Sequence, residues 1–244
     1  MRNIKLEIEY DGTNYCGWQI QKSYNSPLDS HKSRSIQEVI EKNVQRIIQE
    51  KIKLIASGRT DAGVHALGQV VNFTMSSSIP LRKLKHALNR LLPSDIAIIN
   101  VEEVALDFHS RFCAKSKIYR YTILNRDFPS PFLKNQAYFF PYPLDLGLMR
   151  KESKVLLGRH DFRAFCASNS STKNTIRTIK KIVIKKSVYN LTPITYNPKE
   201  HSLISIEIEA DGFLYNMVRN IVGTLIEIGR GRFKKGYLKR ILRS

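Results

Sequence analysis

Three observations predict an α+β protein with two similar halves. Segments in which apolar residues alternate with polar ones, the period of half-buried strands, are interspersed with segments of helical apolar spacing. The order of these elements is similar in residues 1–106 and 107–244, so we expect two domains with these bounds. With 244 residues, 42% of them hydrophobic, the chain can bury a sizeable core. The strands look antiparallel, and the helices are expected to cover one face of each sheet.

The first half is predicted to contain four strands and two helices. The opening segment "RNIKLEIEYDG" alternates as a strand does, and Ser35 with Glu38 forms a capping-box pattern that begins a helix over about 35–50. The segments "KIKLIAS" and "GQVVNFTM" predict strands on either side of a turn that contains Gly and Asp. Leucines at helical spacing predict a second helix near 80–92, and "IAIINVEEV" predicts the last strand.

The second half repeats this order in outline, without a repeat of sequence. The segments "KSKIYRYTIL", "TIRTIKKIVIKK" and "HSLISIEIEA" predict strands, and "LGLMRKESKVLLG" predicts a helix. A second helix is predicted over 213–229, where apolar residues cover most of the circumference. Two long inserts, residues 22–34 and 126–143, are expected to be loops.

The charge of the chain indicates a polyanionic partner. Lys and Arg number 40 against 21 Asp and Glu, a net charge of +19, and 26 of these 40 basic residues follow residue 100. RNA, DNA and an anionic membrane would all suit such a chain. No apolar run reaches the roughly 20 residues of a membrane span, and the N-terminus lacks the apolar core of a signal peptide. We therefore expect a cytoplasmic protein without a membrane partner.

The sequence contains no pattern typical of a metal site or of a hydrolase. Cys16, Cys113 and Cys166 are widely separated, so we expect reduced thiols and no structural metal. The histidines form neither a Ser/His/Asp arrangement nor an H-E-x-x-H motif, and "GRTDAG" lacks the Lys of a phosphate-binding P-loop.

An acid stands out in the segment "SGRTDAGVHALGQVVNF" (residues 57–73), where Asp61 follows two residues after Arg59. The preference of Asp and Gly for turns is enough to explain the sequence Asp-Ala-Gly. The helix over 213–229 carries a polar stripe that includes Arg219, and a guanidinium buried there needs an acidic partner, since an unpaired buried charge costs about 3 to 5 kcal/mol. Asp61 is a candidate for that partner. A structural salt bridge and a catalytic pair both remain open at this point.

Tyr119 also admits two interpretations. Alternation places it on the same strand face as Tyr121, which is typical of a core position. Lys115, Lys117 and Arg120 surround it, and aromatic residues among basic ones suit stacking on nucleobases beside phosphate contacts.

Five blocks of the sequence together resemble TruA-type tRNA pseudouridine synthases. They are "YDGTNYCGWQIQ", "SGRTDAGVHALGQVVNF", "FHSRFCAKSKIYRYTILN", "GRHDFRAFCA" and "MVRNIVGTLIEIGRG", in the order of that family and spread over most of the chain. The resemblance implies two ferredoxin-like halves around a basic central cleft, a homodimer, and no metal or organic cofactor. It also implies isomerisation of uridine to pseudouridine in the tRNA anticodon arm, at tRNA positions 38 to 40.

The resemblance also implies roles for individual residues. Asp61 matches the essential aspartate, Tyr119 the active-site tyrosine and Arg219 the arginine paired with the aspartate. Arg59 matches the base-displacing arginine of the same motif as Asp61. We assign to substrate binding, together with Arg59, the residues Thr60, Gly63, His65, Lys117 and Arg120.

Two alternatives and two departures from the family pattern accompany this assignment. A non-catalytic tRNA-binding protein or RNA chaperone would use the same basic surface but has no need of a carboxylate facing phosphates. A DNA-binding module is disfavoured, because the sequence has no helix-turn-helix or zinc pattern.

The sequence departs from the family pattern in two places. The insert at 22–34 is longer than the connection that the family has there, and the family pattern continues past Ser244 with an Ala-Pro loop and a strand. We therefore expect an incomplete second sheet, which bears on stability, dimerisation and activity.

Overall fold

The computed structural model describes residues 1–20, 34–168, 172–188 and 202–244. They form two compact units, Met1–Ala114 and Lys115–Ser244, each with its own hydrophobic core. The expected α+β class is confirmed, because each unit consists of a sheet with helices. Apart from Arg34, the insert predicted at 22–34 lies outside the described residues.

The first unit has the βαββαβ order of a ferredoxin-like fold. Its sheet has the strand order β2-β3-β1-β4, and all three strand pairs are antiparallel. The elements are β1 (Arg2–Tyr10), α1 (Ile36–Ile48), β2 (Ile55–Ala56), β3 (Ala66–Met75), α2 (Leu81–Leu91), β4 (Ile96–Val104) and α3 (Ser110–Cys113).

Helix α1 begins at the predicted cap. The Ser35 hydroxyl accepts a hydrogen bond from the Glu38 N–H at 3.1 Å, which satisfies one of the free N–H groups of the first turn. The Glu38 carboxylate accepts a hydrogen bond from Lys42 at 2.6 Å. The helix ends at Ile48, and the next residue, Gln49, caps it. The Gln49 N–H still donates to the Gln45 carbonyl at 2.8 Å, and its left-handed backbone (φ 58°) then turns the chain out of the helix.

The strand predicted from "KIKLIAS" is wrong for most of its length, because only Ile55 and Ala56 pair with β3. The preceding backbone is bonded to α1 instead. The Leu54 N–H donates to the buried Glu41 carboxylate at 2.8 Å, and the Ile52 carbonyl accepts from the Gln45 side chain at 3.0 Å. Backbone N–H and carbonyl groups that bond to side chains of α1 cannot also form the backbone hydrogen bonds of a strand pair.

The second unit contains a five-stranded sheet with the order β6-β5-β9-β8-β7. Its pairs are antiparallel, except that β5 and β6 are parallel. The elements are β5 (Lys117–Asn125), β6 (Tyr138–Phe140), α4 (Leu146–Ser153), β7 (Gly158–Asp161), β8 (Ile176–Val188), β9 (Ser202–Ala210), α5 (Met217–Gly229) and α6 (Tyr237–Leu242).

The segment predicted as a loop over 126–143 contains strand β6, so this prediction is wrong for residues 138–140 and holds for most of the segment. The side chain of Asn125 donates to the carbonyls of Phe140 and Tyr142, both at 2.8 Å, and holds β6 beside the end of β5. The helix predicted from "LGLMRKESKVLLG" is also shorter than expected. It ends at Ser153, and a 3-10 turn follows. Strand β7 then begins at Gly158, which has a positive φ of 97°.

The last long helix, α5, begins at Met217, four residues after the predicted start at Phe213. Asn216 is in the left-handed region with φ 58°, which a continuous right-handed helix cannot include. The predicted burial of the helix is confirmed for most of its length. The buried residues are Met217, Val218, Ile221, Val222, Leu225, Ile226, Ile228 and Gly229.

The three cysteines are free thiols. Within the described ranges, no helix is long and apolar enough to cross a membrane. The same ranges hold no group of three or more His, Cys, Asp or Glu side chains with the placement of a metal site.

Candidate active site

Asp61 is exposed in the loop of residues 57–65, which joins β2 to β3 and is called the Asp61 loop below. The Asp61 carbonyl accepts a hydrogen bond from the Val64 N–H at 3.1 Å, and Gly63 has a φ of 74°. A Cβ on Gly63 would meet no atom within 4 Å, so the backbone conformation, and not lack of space, favours glycine. Turn chemistry thus explains the shape of the loop.

The start of the Asp61 loop is fixed to β3. The Ser57 N–H donates to the Val70 carbonyl, and the buried side chain of Gln69 donates to the Gly58 carbonyl, both at 2.8 Å. The Ser57 hydroxyl donates to Gln69 Oε1 at the same distance. The loop therefore leaves the sheet in a defined direction.

The residue before Asp61 is held by residues 10–18, which we call the support segment. The Thr60 carbonyl accepts a hydrogen bond from the Trp18 N–H at 2.9 Å, and the Thr60 Oγ1 lies 2.8 Å from the Tyr10 hydroxyl. A Cβ on Gly17 would lie 2.7 Å from the Thr60 carbonyl oxygen, and Gly17 has a φ of 105°. Close approach of the two backbones and this φ both favour glycine at position 17.

His65 also contacts the support segment. Its Nδ1 lies 2.9 Å from Asp11 Oδ1 and 3.2 Å from the Gly12 nitrogen. Nδ1 can form only one of these two hydrogen bonds at a time. It must carry a proton to donate to the Asp11 carboxylate, and it must lack one to accept from the Gly12 N–H. Burial acts to raise the pKa of Asp11, but hydrogen bonds from Thr13 and the nearby His65 outweigh it and lower that pKa.

Helix α1 supports this arrangement from behind. The N–H groups of Ile36 and Gln37 donate to the carbonyls of Gly17 and Trp18, at 3.1 and 3.0 Å. These first helical N–H groups have no acceptor inside the helix, so carbonyls of the support segment act as their acceptors. The Asp61 loop, the support segment and α1 thus form one hydrogen-bonded series.

In the second unit, Tyr119 lies on the face of β5 that packs against the core. Its ring meets the ring of Phe213 edge-on, with centroids 4.9 Å apart and an interplanar angle of 65°. Tyr119 is only partly buried, as are Lys117 and Tyr121 on the same face. The predicted shared face of Tyr119 and Tyr121 is therefore confirmed.

Arg120 points to the opposite face of β5. Its Nε donates to Glu207 Oε1 of β9 at 2.8 Å, and the two side chains are 56% and 28% exposed. The structure therefore places Lys117 beside Tyr119 and separates Arg120 from both. Arg59, in the first unit, is exposed.

Arg219 is exposed on the first turn of α5, so the expectation that it is buried in the helix is wrong. Burial raises the pKa of Tyr121, and the positive charge of Arg219 opposes this rise. The argument that a buried guanidinium requires Asp61 no longer applies. A pair of these two residues must be supported on other grounds.

The block "GRHDFRAFCA" holds the start of α5. The side chain of Asn220 donates to the Phe165 carbonyl at 2.8 Å, and the Ala167 N–H donates to the Tyr215 carbonyl at 3.1 Å. These bonds fix the helix on both sides of Arg219 in the sequence.

Comparisons with known proteins decide the family. A family model described as tRNA pseudouridine synthase matches residues 7–113 and 153–244. The chain belongs to the tRNA pseudouridine synthase family. Its relatives include proteins named tRNA pseudouridine synthase A from Thermoanaerobacter sp. (strain X514) and Acetivibrio thermocellus, each 44% identical over 244 residues, which are 100% of this chain and 91% of the relative. A protein of Clostridium tetani named tRNA pseudouridine synthase A 2 is 47% identical over 243 residues, 100% of this chain and 90% of the relative.

The resemblance seen in the sequence is confirmed, and with it the enzyme class, since this family of tRNA pseudouridine synthases consists of isomerases. The matched ranges contain the support segment, the Asp61 loop and α5. Strand β5 with Tyr119 lies between the two matched ranges, within the span of the full-length relatives.

Sequence reasoning did not single out Tyr10, Gly17, Tyr121 or Asn220, which surround the candidate residues of this synthase. A signal was present for the first two. The block "YDGTNYCGWQIQ" contains two glycines among aromatic residues, a composition that indicates close backbone approach beside a buried surface. For Tyr121 the alternation already gave the shared face with Tyr119.

We predict a pH-dependent contribution of Asp161 to the stability of the synthase. Hydrogen bonds from the Arg163 side chain, from Thr175 and from the Arg163 N–H lower the pKa of Asp161 to about 2 from 3.8. A carboxylate whose pKa is lower in the folded protein stabilises the fold at pH values above its pKa in the unfolded chain. This contribution is lost as the pH falls through its pKa in the folded protein. Asp161→Asn should therefore lower the melting temperature at pH 7, and the difference from wild type should shrink between about pH 4 and pH 2.

The expected effect is small, below about 1 kcal/mol, because water screens this partly exposed cluster. Thermal melting followed by circular dichroism at several pH values measures it. Asp127→Asn, at an exposed site outside the cluster, is the control. A melting difference that does not change with pH would contradict the assignment.

Proposed function

We propose that this protein converts uridine to pseudouridine in the anticodon arm of tRNA, at tRNA positions 38 to 40. Family membership across both units supports the reaction. The observation that carries the proposal is the exposed carboxylate of Asp61, on a loop fixed by hydrogen bonds to β3 and to the support segment. A net charge of +19 supports a nucleic-acid substrate.

The reaction requires the enzyme to detach a base and attach it again. The N1–C1′ bond of uridine breaks, the base turns, and a C5–C1′ bond forms. The proton on C5 is then lost, and N1 carries a proton in the product, so substrate and product are isomers. We propose that ionised Asp61 acts at the ribose, where a carboxylate can attack C1′ or remove the 2′ proton to give a glycal. Both routes are consistent with an exposed carboxylate.

We assign the remaining roles by the chemistry of each side chain. Arg219 keeps Asp61 ionised and oriented as water leaves the site. Tyr119 stacks on the uracil and assists removal of the C5 proton. Arg59 fills the space that the target nucleotide leaves when it is extruded from its stack. The partial exposure of Tyr119 and the exposure of Arg59 and Arg219 support contact with a ligand.

The proposed binding residues differ in their support. Lys117 shares the face of Tyr119 and suits a phosphate contact. Thr60 and His65 contact the support segment, and Gly63 shapes the turn, so we propose that these three act by forming the loop. The ion pair with Glu207 weakens the case for Arg120. We further propose a homodimer, which the family resemblance alone supports, and a cytoplasmic location, which suits an enzyme that acts on tRNA.

The test is release of tritium from tRNA labelled at C5 of uridine. Release into water should accompany pseudouridine formation, because the C5 proton is lost only when C5 becomes bonded to C1′. Transcripts in which the uridines at positions 38 to 40 are replaced by cytidine should bind equally and release nothing. Binding without release from any tRNA would indicate a non-catalytic tRNA-binding protein or RNA chaperone. Sedimentation of the same sample tests the homodimer.

A further inference from the structure

The residue that precedes Asp61 is held at two points by the support segment. The Thr60 carbonyl accepts from the Trp18 N–H, and the Thr60 Oγ1 lies 2.8 Å from the Tyr10 hydroxyl. We propose that Tyr10 is a positioning residue for Asp61, which it orients through the hydrogen bond between its hydroxyl and Thr60. This proposal rests on the proposed catalytic role of Asp61.

Tyr10 is well placed for this role because it is itself rigid. Its side chain is 3% exposed and belongs to the core of the first unit, with its ring centroid 6.1 Å from that of Trp18. It is the last residue of β1, and its hydroxyl reaches from this core to the base of the Asp61 loop. Because Tyr10 is fixed in the core, its hydrogen bond to Thr60 holds the exposed Asp61 loop in a defined position relative to the sheet.

The strand register brings Tyr10 to the loop. In the pairing of β1 with β3, Ile8 faces Gln69 and Tyr10 faces Ala66, so β3 has one extra residue between these pairs. Such a bulge bends a strand and re-aims side chains, and bulges are frequent beside active sites. Here the bulge lies in β3 directly after the Asp61 loop.

The hydrogen bond restricts the conformation of Thr60 and hence the direction in which Asp61 leaves it. With the Oγ1 and the carbonyl both held, the peptide plane that joins Thr60 to Asp61 is fixed. A misplacement of about 1 Å in a catalytic group costs about a hundredfold in rate. Loss of the hydroxyl contact should therefore lower kcat and leave the KM for tRNA nearly unchanged, since phosphate contacts dominate affinity.

Four variants of the full chain test the proposal by tritium release. Tyr10→Phe and Thr60→Val each remove one hydroxyl, the double variant removes both, and Thr60→Ser retains the Oγ. Asn89→Ala is the control, because the Asn89 side chain in α2 bonds the N–H and the carbonyl of Ile98 in β4, at 2.7 and 3.0 Å, and belongs to neither the support segment nor the Asp61 loop. Melting temperature and tRNA affinity are measured for each variant.

We expect Tyr10→Phe and Thr60→Val each to lower kcat about tenfold to a hundredfold, with KM within about threefold of wild type. The double variant should be no slower than the slower single variant, because both changes remove the same contact. Thr60→Ser should restore most of the rate. Asn89→Ala should lower the melting temperature while kcat stays within about twofold of wild type.

Three results would overturn the proposal. The first is a Tyr10→Phe enzyme whose kcat matches wild type. The second is full additivity in the double variant. The third is a loss of kcat in Asn89→Ala equal to that in Tyr10→Phe, which would make the effect one of general stability. An inactive wild type, or an active Asp61→Asn variant, overturns the proposed function as well, so the two failures are distinguishable.

Discussion

Asp61→Asn is expected to lower turnover at least about a thousandfold, because the neutral amide can neither attack C1′ nor accept the 2′ proton. The fold should survive, since Asp61 is exposed and its carbonyl, which bonds the Val64 N–H, is unchanged by the substitution. Affinity for tRNA should stay within about threefold, because phosphate contacts supply most of it. Single-turnover tritium release and filter binding measure the two effects.

Asp107→Asn is the control for Asp61→Asn. Asp107 is an exposed acid in the same unit, between β4 and α3, and its replacement changes the net charge equally. It should leave the rate within about twofold of wild type. If Asp61→Asn also released tritium at the normal rate, Asp61 would not be the catalytic group.

Arg219→Leu is expected to lower kcat at least about a hundredfold through loss of the charge that we propose to hold Asp61 ionised. Leu suits the helix, and Arg219 is exposed, so its removal leaves no cavity. The melting temperature should change by less than about 2 °C. Stopped assays of tritium release, with melting of the same preparations, separate catalysis from stability.

Two further variants sharpen this test. Arg219→Lys keeps the charge but loses the planar fork of donors, so it should recover only part of the rate. Arg232→Leu removes an exposed arginine just beyond the end of α5, where it pairs with Glu227 at 3.5 Å, and should leave kcat unchanged. Normal turnover by Arg219→Leu would mean that the proposed pair has no part in the reaction.

Local patterns in the sequence correctly predicted much of each unit. Alternation predicted β1 and β4 with nearly their observed bounds, and the Ser35 cap placed the start of α1 within one residue. These elements are governed by periodicity and by contacts within a few residues, which a sequence displays directly. The motif around Asp61 and the turn that contains it were evident for the same reason.

Predictions failed where a residue outside the segment bonds its backbone, or where a single residue takes an unusual conformation. Leu54 is bonded to Glu41 of α1 and not to a strand, and β6 pairs with β5, where the Asn125 side chain also bonds the Phe140 carbonyl. The start of α5 moved to Met217 because Asn216 takes a left-handed conformation. None of these outcomes follows from the composition of the segment itself.

What the sequence by itself determined about this protein is its family, its basic character and the identity of the candidate residues, because these depend on residue type and order. Only the tertiary structure decided that Arg120 faces away from Tyr119, that Arg219 is exposed, and that Tyr10 meets Thr60. Tyr10 and Thr60 are 50 residues apart in the chain. A bulge in β3 and the close approach of two glycine-containing loops bring them together, and these are properties of packing that no local pattern contains.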